Sequence, residues 1–162
     1  MNYFLSLGSN LGERESNLIQ ALSLLKKEEI KVLKVSSLYE TQPVDFPDQR
    51  WFYNQVAKVK SPIDPLPFLA LLKKIEQKMG RQTLIYKGPR IIDIDILLAE
   101  NIIIQTEKLK IPHPRMDKRN FILLPLAEIA PNAVHPLLKE TIKDLLKKSG
   151  DRSIVIKLRR KN

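Results

Sequence analysis

Residues 88–101 read GPRIIDIDILLAEN, with two carboxylates, Asp93 and Asp95, set inside a run of isoleucine and leucine. Side chains alternate faces along a strand with period two. Asp93 and Asp95 therefore share one face. Ile92, Ile94 and Ile96 share the other, where a helix can cover them. Burying one unpaired carboxylate is costly, and burying two neighbours is worse. The segment thus predicts a strand with a structural face and a chemical face, and a positive partner for the latter.

Upstream, DPLPFLALLKKIEQKMG (64–80) signals a helix. Asp64 suits the cap, Pro65 the first helical position, and Gly80 the end; Leu69, Leu72, Ile75 and Met79 form the apolar stripe. Further upstream, NYFLSLGSN predicts a strand and turn. ERESNLIQALSLLKK predicts a helix with Leu18, Leu22 and Leu25 on one face, its acidic residues first and lysines last, as the helix dipole favours. IKVLKVSSLYET and YNQVAKVK read as two strands. Downstream, NIIIQ is expected to pair with the aspartate strand, and FILLPLAEIAP to be a short buried segment or helix. TIKDLLKK is a helix closed by Gly150, and SIVIKL a last strand or ordered tail. The order strand, helix, strand, strand, helix, strand predicts an α+β, ferredoxin-like βαββαβ sandwich. It would be a mostly antiparallel sheet with helices on one face, plus C-terminal helical additions. One domain over 1–162 is expected, with 151–162 an extra strand or tail.

At 162 residues the chain can bury a sizeable core. No run of 18 apolar residues occurs, which excludes a transmembrane helix, and the start lacks the basic region and long apolar core of a signal peptide. A cytoplasmic location is the expectation. Cysteine is absent, which removes disulfides, thiolate nucleophiles and Cys-ligated zinc. The net charge of +10 would attract nucleic acid, anionic membrane or a phosphorylated small molecule alike, so it does not choose a partner.

The paired aspartates have two readings. They can hold one or two magnesium ions, a cation that prefers carboxylate, water and phosphate oxygens. They can equally form ion pairs with Arg90, Arg81 or surface lysines. Gly88-Pro89-Arg90 puts a rigid turn and a guanidinium just upstream, an arrangement that suits transferring phosphates. No P-loop competes for the phosphates, since GSNLGER lacks the G-K-[ST] ending and reads as a turn capping a helix. Of the two histidines, His113 stands in a cluster with Arg115, Lys118 and Arg119 that reads as a phosphate-facing loop.

GPRIIDIDILL together with IPHPRMDKRNFILLPLAEIAP resembles the 6-hydroxymethyl-7,8-dihydropterin pyrophosphokinase family of folate biosynthesis. LSLGSNLGERESNL and SSLYETQPVDFPDQRWFYNQV resemble it too, in the same order and at similar spacing, over residues 3 to about 148. The resemblance implies a ferredoxin-like fold, and a transfer of the β,γ-pyrophosphoryl group of ATP to the pterin hydroxymethyl group that yields AMP. It implies two Mg2+ ions on Asp93 and Asp95, with Arg81 and Arg90 near the phosphates. Glu76, Lys108, His113 and Arg119 match nucleotide-side positions. Phe52 and Phe121 match a stacking pair for the pterin, Asn54 the amide that reads its edge, and Thr41, Pro43 and Val44 its walls. Trp51 falls beside the stacking position. The implied partners are the two small-molecule substrates, without nucleic acid or membrane, on a monomer.

The chain also departs from that pattern. Lys87, after Tyr86, stands where some bacterial members have tryptophan before Gly-Pro-Arg, so Tyr86 or Leu84 would supply the apolar contact. Loops 44–50 and 80–89 are the candidate lids. Gln42 replaces a proline or acidic residue without expected consequence, and the tail after Gly150 has no counterpart. Two other classes compete: a basic ferredoxin-like nucleic-acid-binding module, which would need aromatics on the sheet face, and a metal-dependent nuclease using the same aspartates. The terminal strands lack that aromatic signature, and D-x-D on a sheet would repel phosphates without metal; the nuclease leaves the set Phe52, Asn54 and Phe121 unexplained.

Overall fold

The computed structural model describes residues 1–44, 47–81 and 88–158. Strand β1 (Asn2–Ser9) is followed by α1 (Arg14–Lys27), β2 (Lys31–Val35), β3 (Tyr39–Thr41), β4 (Phe52–Lys60), α2 (Pro65–Lys78) and β5 (Asp93–Ala99). A two-stranded ribbon of β6 (Ile104–Gln105) and β7 (Lys110–Ile111) comes next, then a 3-10 turn at Met116–Lys118, α3 (Asn120–Ile129), α4 (Ile142–Lys148) and β8 (Val155–Lys157). The main sheet runs β5-β1-β4-β3-β8, with β2 also on β4, and every pairing is antiparallel. With β2 and β3 counted as one interrupted strand, this is the expected ferredoxin-like α+β order.

The expected strand IKVLKVSSLYET is in fact two. Ser36 is fully buried and interrupts the ladder: its main-chain N–H still donates to the Val56 carbonyl at 2.9 Å, but its hydroxyl takes the return bond, accepting from the Val56 N–H at 3.0 Å and donating to the Ser37 carbonyl at 2.8 Å. A serine that bonds the backbone locally competes with sheet pairing. The expected pairing of NIIIQ with the aspartate strand is also corrected: Ile104 pairs with Ile111, in the separate ribbon. Glu100, at φ 51°, turns the chain away directly after β5.

The period-two reading of β5 is observed. Ile92, Ile94 and Ile96 enter a core between the sheet and helices α1 and α2, with Tyr3, Leu5 and Leu7 of β1. Pro65 opens α2 and Gly80, at φ +81°, ends it. Asp64 occupies the cap position without a side-chain hydrogen bond. The buried stripe is Phe68, Leu72, Ile75 and Met79 rather than one led by Leu69, because Phe68 stacks on Tyr3 with ring centroids 4.1 Å apart. Helices α1 and α2 share one face, as expected. Helix α3, one of the C-terminal additions, covers part of the opposite face, where Ile122, Leu123 and Leu126 pack on Val56, Leu97 and Leu98. No helix among the described residues is long and apolar enough to cross a membrane.

Candidate active site

Directly opposed residues on neighbouring strands share a face. Gly8 of β1 lies between Asp93 of β5 and Asn54 of β4, and Ser6 lies between Asp95 and Val56. One row of the sheet therefore carries Asp93, Gly8 and Asn54, and the next carries Asp95 and Ser6. This is the face that α3 covers only in part, and a pocket remains beside its N-terminus. The pocket brings together Thr41, Pro43, Val44, Phe52, Asn54, Arg90, Asp93, Asp95, Arg119 and Phe121.

Gly8 is the floor, where the sequence reading saw only a turn. A Cβ there would stand 2.5 Å from Asn54 Oδ1 and 3.6 Å from Phe52 Cδ1. The Asn54 amide is held in place by Nδ2, which donates to Thr41 Oγ1 at 2.5 Å. The two aromatic walls are each accompanied by a guanidinium: Arg90 is 5.5 Å from the Phe52 ring centroid and Arg119 is 5.6 Å from that of Phe121. Trp51 contributes its carbonyl, which accepts from Arg14 Nη1 at 2.8 Å.

Both readings of the aspartate pair find support in the geometry. Asp93 is ion-paired, its Oδ2 2.9 Å from Arg90 Nη1 and its Oδ1 3.4 Å from Arg81 Nη1. Asp95 differs: burial, then the Asp93 charge, push its carboxyl up to about 7, against the pull of Lys73 and Arg81. A carboxylate so disfavoured beside a second one is relieved by a cation. Among the described residues no third His, Asp or Glu joins them as a metal cluster. The donor set thus fits an ion that takes its remaining ligands from water and substrate oxygens, which is how magnesium is commonly bound.

Glu76 stands behind the pocket rather than in it. It is 1% exposed. Its carboxylate is in contact with the Arg81 guanidinium and lies 3.2 Å from Lys73 Nζ. Burial raises its pKa, Lys73 and Arg81 opposing. Glu76 thereby fixes Arg81, just past the end of α2, against Asp93. His113 is tied to β5 by its main-chain N–H, which donates to the Leu97 carbonyl at 2.9 Å. Burial, then Arg119 and Arg115, lower its pKa to about 4, so the imidazole is neutral at pH 7. Its Nδ1 accepts from the Arg115 N–H at 3.2 Å, which leaves the proton on Nε2 as a donor. Lys108 lies outside the pocket, exposed in the turn between β6 and β7. Leu84, Tyr86 and Lys87, and with them parts of both candidate lids, lie outside the described residues.

Sequence reasoning missed Asn10 as well. It is 1% exposed and bonds Gln49, Arg50 and Arg90. The signal available was an amide placed just after a strand, where only a turn was read.

A family model described as 7,8-dihydro-6-hydroxymethylpterin-pyrophosphokinase (HPPK) matches residues 4–131. The 2-amino-4-hydroxy-6-hydroxymethyldihydropteridine pyrophosphokinase of Aquifex aeolicus is 41% identical over 141 residues, covering 87% of this chain and 88% of that protein. The Bacillus subtilis protein of the same name is 46% identical over 127 residues, 78% of this chain and 76% of its own. The folic acid synthesis protein fol1 of Schizosaccharomyces pombe is 42% identical over 152 residues, 93% of this chain but only 21% of that protein, so the chain spans about a fifth of that relative's length. Among solved structures, a Plasmodium falciparum HPPK-DHPS triple mutant with STZ-DHP superposes with a TM-score of 0.73 at 22% identity, over 91% of this chain and 43% of that one. At that identity the likeness concerns the fold.

Proposed function

The chain belongs to the 7,8-dihydro-6-hydroxymethylpterin-pyrophosphokinase family, and from that membership we propose that it transfers pyrophosphate from ATP to the hydroxymethyl group of 6-hydroxymethyl-7,8-dihydropterin. The products are AMP and the pterin diphosphate, in a step of folate biosynthesis. The observation that carries this reading is the pocket that a carboxylate pair and arginines share with Asn54, Phe52 and Phe121.

A pterin is flat, with hydrogen-bonding edges. Phe52 and Phe121 offer the π-faces, and Asn54, braced by Thr41, offers an amide for the edge. Pro43 and Val44 close the apolar side. Asp93 and Asp95 would hold Mg2+, two ions by family resemblance. When bound there, the metal would supply charge neutralisation at the phosphates and would make the pterin alcohol more acidic. Arg81 and Arg90, held on Asp93, stand where they can pass to phosphate oxygens and stabilise the charge that develops in transfer. Arg119 and neutral His113, with its Nε2 proton, face the nucleotide side, and Glu76 sets the position of Arg81. Lys108 would reach the nucleotide only from the ribbon turn. Phosphoryl-group chemistry of this kind rests on positioning and electrostatics, so no histidine base is needed.

The test is AMP formation. Purified protein with ATP, hydroxymethyl-dihydropterin and Mg2+ is expected to release AMP and pterin diphosphate in equal amounts, and to stop when EDTA is added. ATP consumption yielding ADP, or no pterin-dependent AMP, would rule the reading out.

A further inference from the structure

The segment after α4 lies beyond the residues matched by the family model, 4–131, yet it bonds to both sides of the pocket. Asp151 turns its carboxylate to the start of α3. Its Oδ2 accepts from the Asn120 main-chain N–H at 2.8 Å, and Asn120 Nδ2 donates back to the Asp151 carbonyl at 3.0 Å. The Ser153 N–H donates to Asp151 Oδ1 at 2.9 Å, which turns the chain toward β3. There the Gln42 N–H donates to the Ile154 carbonyl at 3.0 Å, and the Ile154 N–H donates to Gln42 Oε1 at 3.2 Å. Strand β8 then pairs Val155 with Thr41 and Lys157 with Tyr39.

The short span from Asp151 to Ile154 thus bridges Asn120, next to Phe121, and Gln42, next to Thr41 and Pro43. We propose that this C-terminal strap sets the two sides of the pterin pocket against each other, with Asp151 as a positioning residue that acts through Phe121. The proposal rests on the pterin reading given above.

The physical grounds are local. The first turn of a helix leaves N–H groups without partners, and a carboxylate there is favourable by both hydrogen bonding and dipole. Helix α3 has no side-chain cap from its own cap residue, Arg119; Asp151 supplies the acceptor from elsewhere in the chain. Burial raises the Asp151 pKa, but the bonds from Asn120 and Ser153 outweigh it and hold the group below its ordinary value. At the other end, β3 has only three residues. Without β8 it would be a short edge strand, paired on β4 alone and prone to fraying. Thr41, which orients Asn54, is its last residue.

Amide hydrogen exchange and steady-state kinetics on wild type, Asp151→Ala and Asp151→Asn test this. Asp151→Ala is expected to speed exchange at Asn120–Leu123 and also at Gln42, which it does not touch. The lost charged hydrogen bonds should raise KM for the pterin roughly tenfold, with kcat and KM for ATP within about threefold. Asp151→Asn keeps one carbonyl acceptor and should recover part of both effects; it also carries the comparison if the alanine variant does not fold. Unchanged exchange at both sides in a folded variant, or equal losses for both substrates, overturns the proposal. If wild type does not turn over the pterin at all, the functional reading fails separately. Exchange alone then judges the strap: faster at both sides supports it, and unchanged overturns it.

Discussion

Asn10 holds Arg90 by its main chain from both ends: Asn10 Oδ1 accepts from the Arg90 N–H at 2.8 Å, and the Asn10 N–H donates to the Arg90 carbonyl at 3.1 Å. The same amide donates through Nδ2 to Gln49 Oε1 at 2.8 Å and to the Arg50 carbonyl at 2.9 Å. One buried side chain at the end of β1 therefore fixes both the turn that aims Arg90 at Asp93 and the chain entering Phe52. Asn10→Ala removes all of these side-chain bonds and leaves buried groups unpaired. It is expected to lower kcat/KM at least about tenfold and to reduce Tm by several degrees. Asn10→Asp should not rescue, because the Nδ2 donor is lost. Kinetics and thermal melts of the two variants check this.

Asp95 should show activity and stability pulling apart. Its folded pKa is raised above the ordinary 3.8 to about 7. Between those values the folded state binds more protons than the unfolded one, so this group's contribution rises as pH falls through that window. Asp95→Asn should therefore melt higher than wild type at pH 8, and the gap should close by pH 5, while turnover falls by roughly three orders of magnitude or more. A variant that is less stable at pH 8 would count against the burial argument. Near-normal turnover would count against the metal role.

Gly8→Ala should act on the pterin rather than on ATP. The added methyl would stand 2.5 Å from Asn54 Oδ1, and Asn54 can retreat only by breaking its bond to Thr41. Pterin affinity should drop about tenfold or more by calorimetry, in line with one lost oriented hydrogen bond.

Phe121→Ala should weaken the same ligand selectively. Its ring closes the pocket from α3, while Asp93, Asp95 and Arg90 stand on β5 and the turn before it. Loss of one stacking face is expected to cost the pterin about tenfold or more and ATP little. Equal losses would mark the ring as structural.

His113 should titrate far below an ordinary histidine. Burial and the neighbouring arginines lower its pKa from 6.5 to about 4. From pH 6.5 down to about 4 the unfolded state binds the extra proton, so this group's share of stability is present above that window and is lost as pH falls through it. An imidazole titration by NMR is expected to show no protonation at pH 6, with Nε2 carrying the proton. An inflection near 6.5 would remove the neutral donor from the site.

The sheet, its order and the chemical face of β5 were legible because period two at Ile92–Ile96 and the helix signals at Pro65 and Gly80 are local. What escaped reading depends on contacts far apart in sequence. Ser36 breaks a strand because its hydroxyl finds Val56. Phe68 displaces Leu69 from the stripe because Tyr3 lies opposite. Gln42 looks inconsequential, and the tail after Gly150 purposeless, until folding places Ile154 beside the former. Phe52, Asn54 and Phe121 carry no local pattern at all; only resemblance gathers them, and the structure brings them into one pocket.

The pocket floor belongs to β1 and β4, and each of these strands is paired along both edges. An inhibitor anchored on Asn54 would grip groups that cannot withdraw, since moving either strand opens ladders on two sides at once. Resistance by substitution would then have to arise at the walls, at Phe52, Phe121 or the segment bracing them, where a side chain can change without unzipping the sheet.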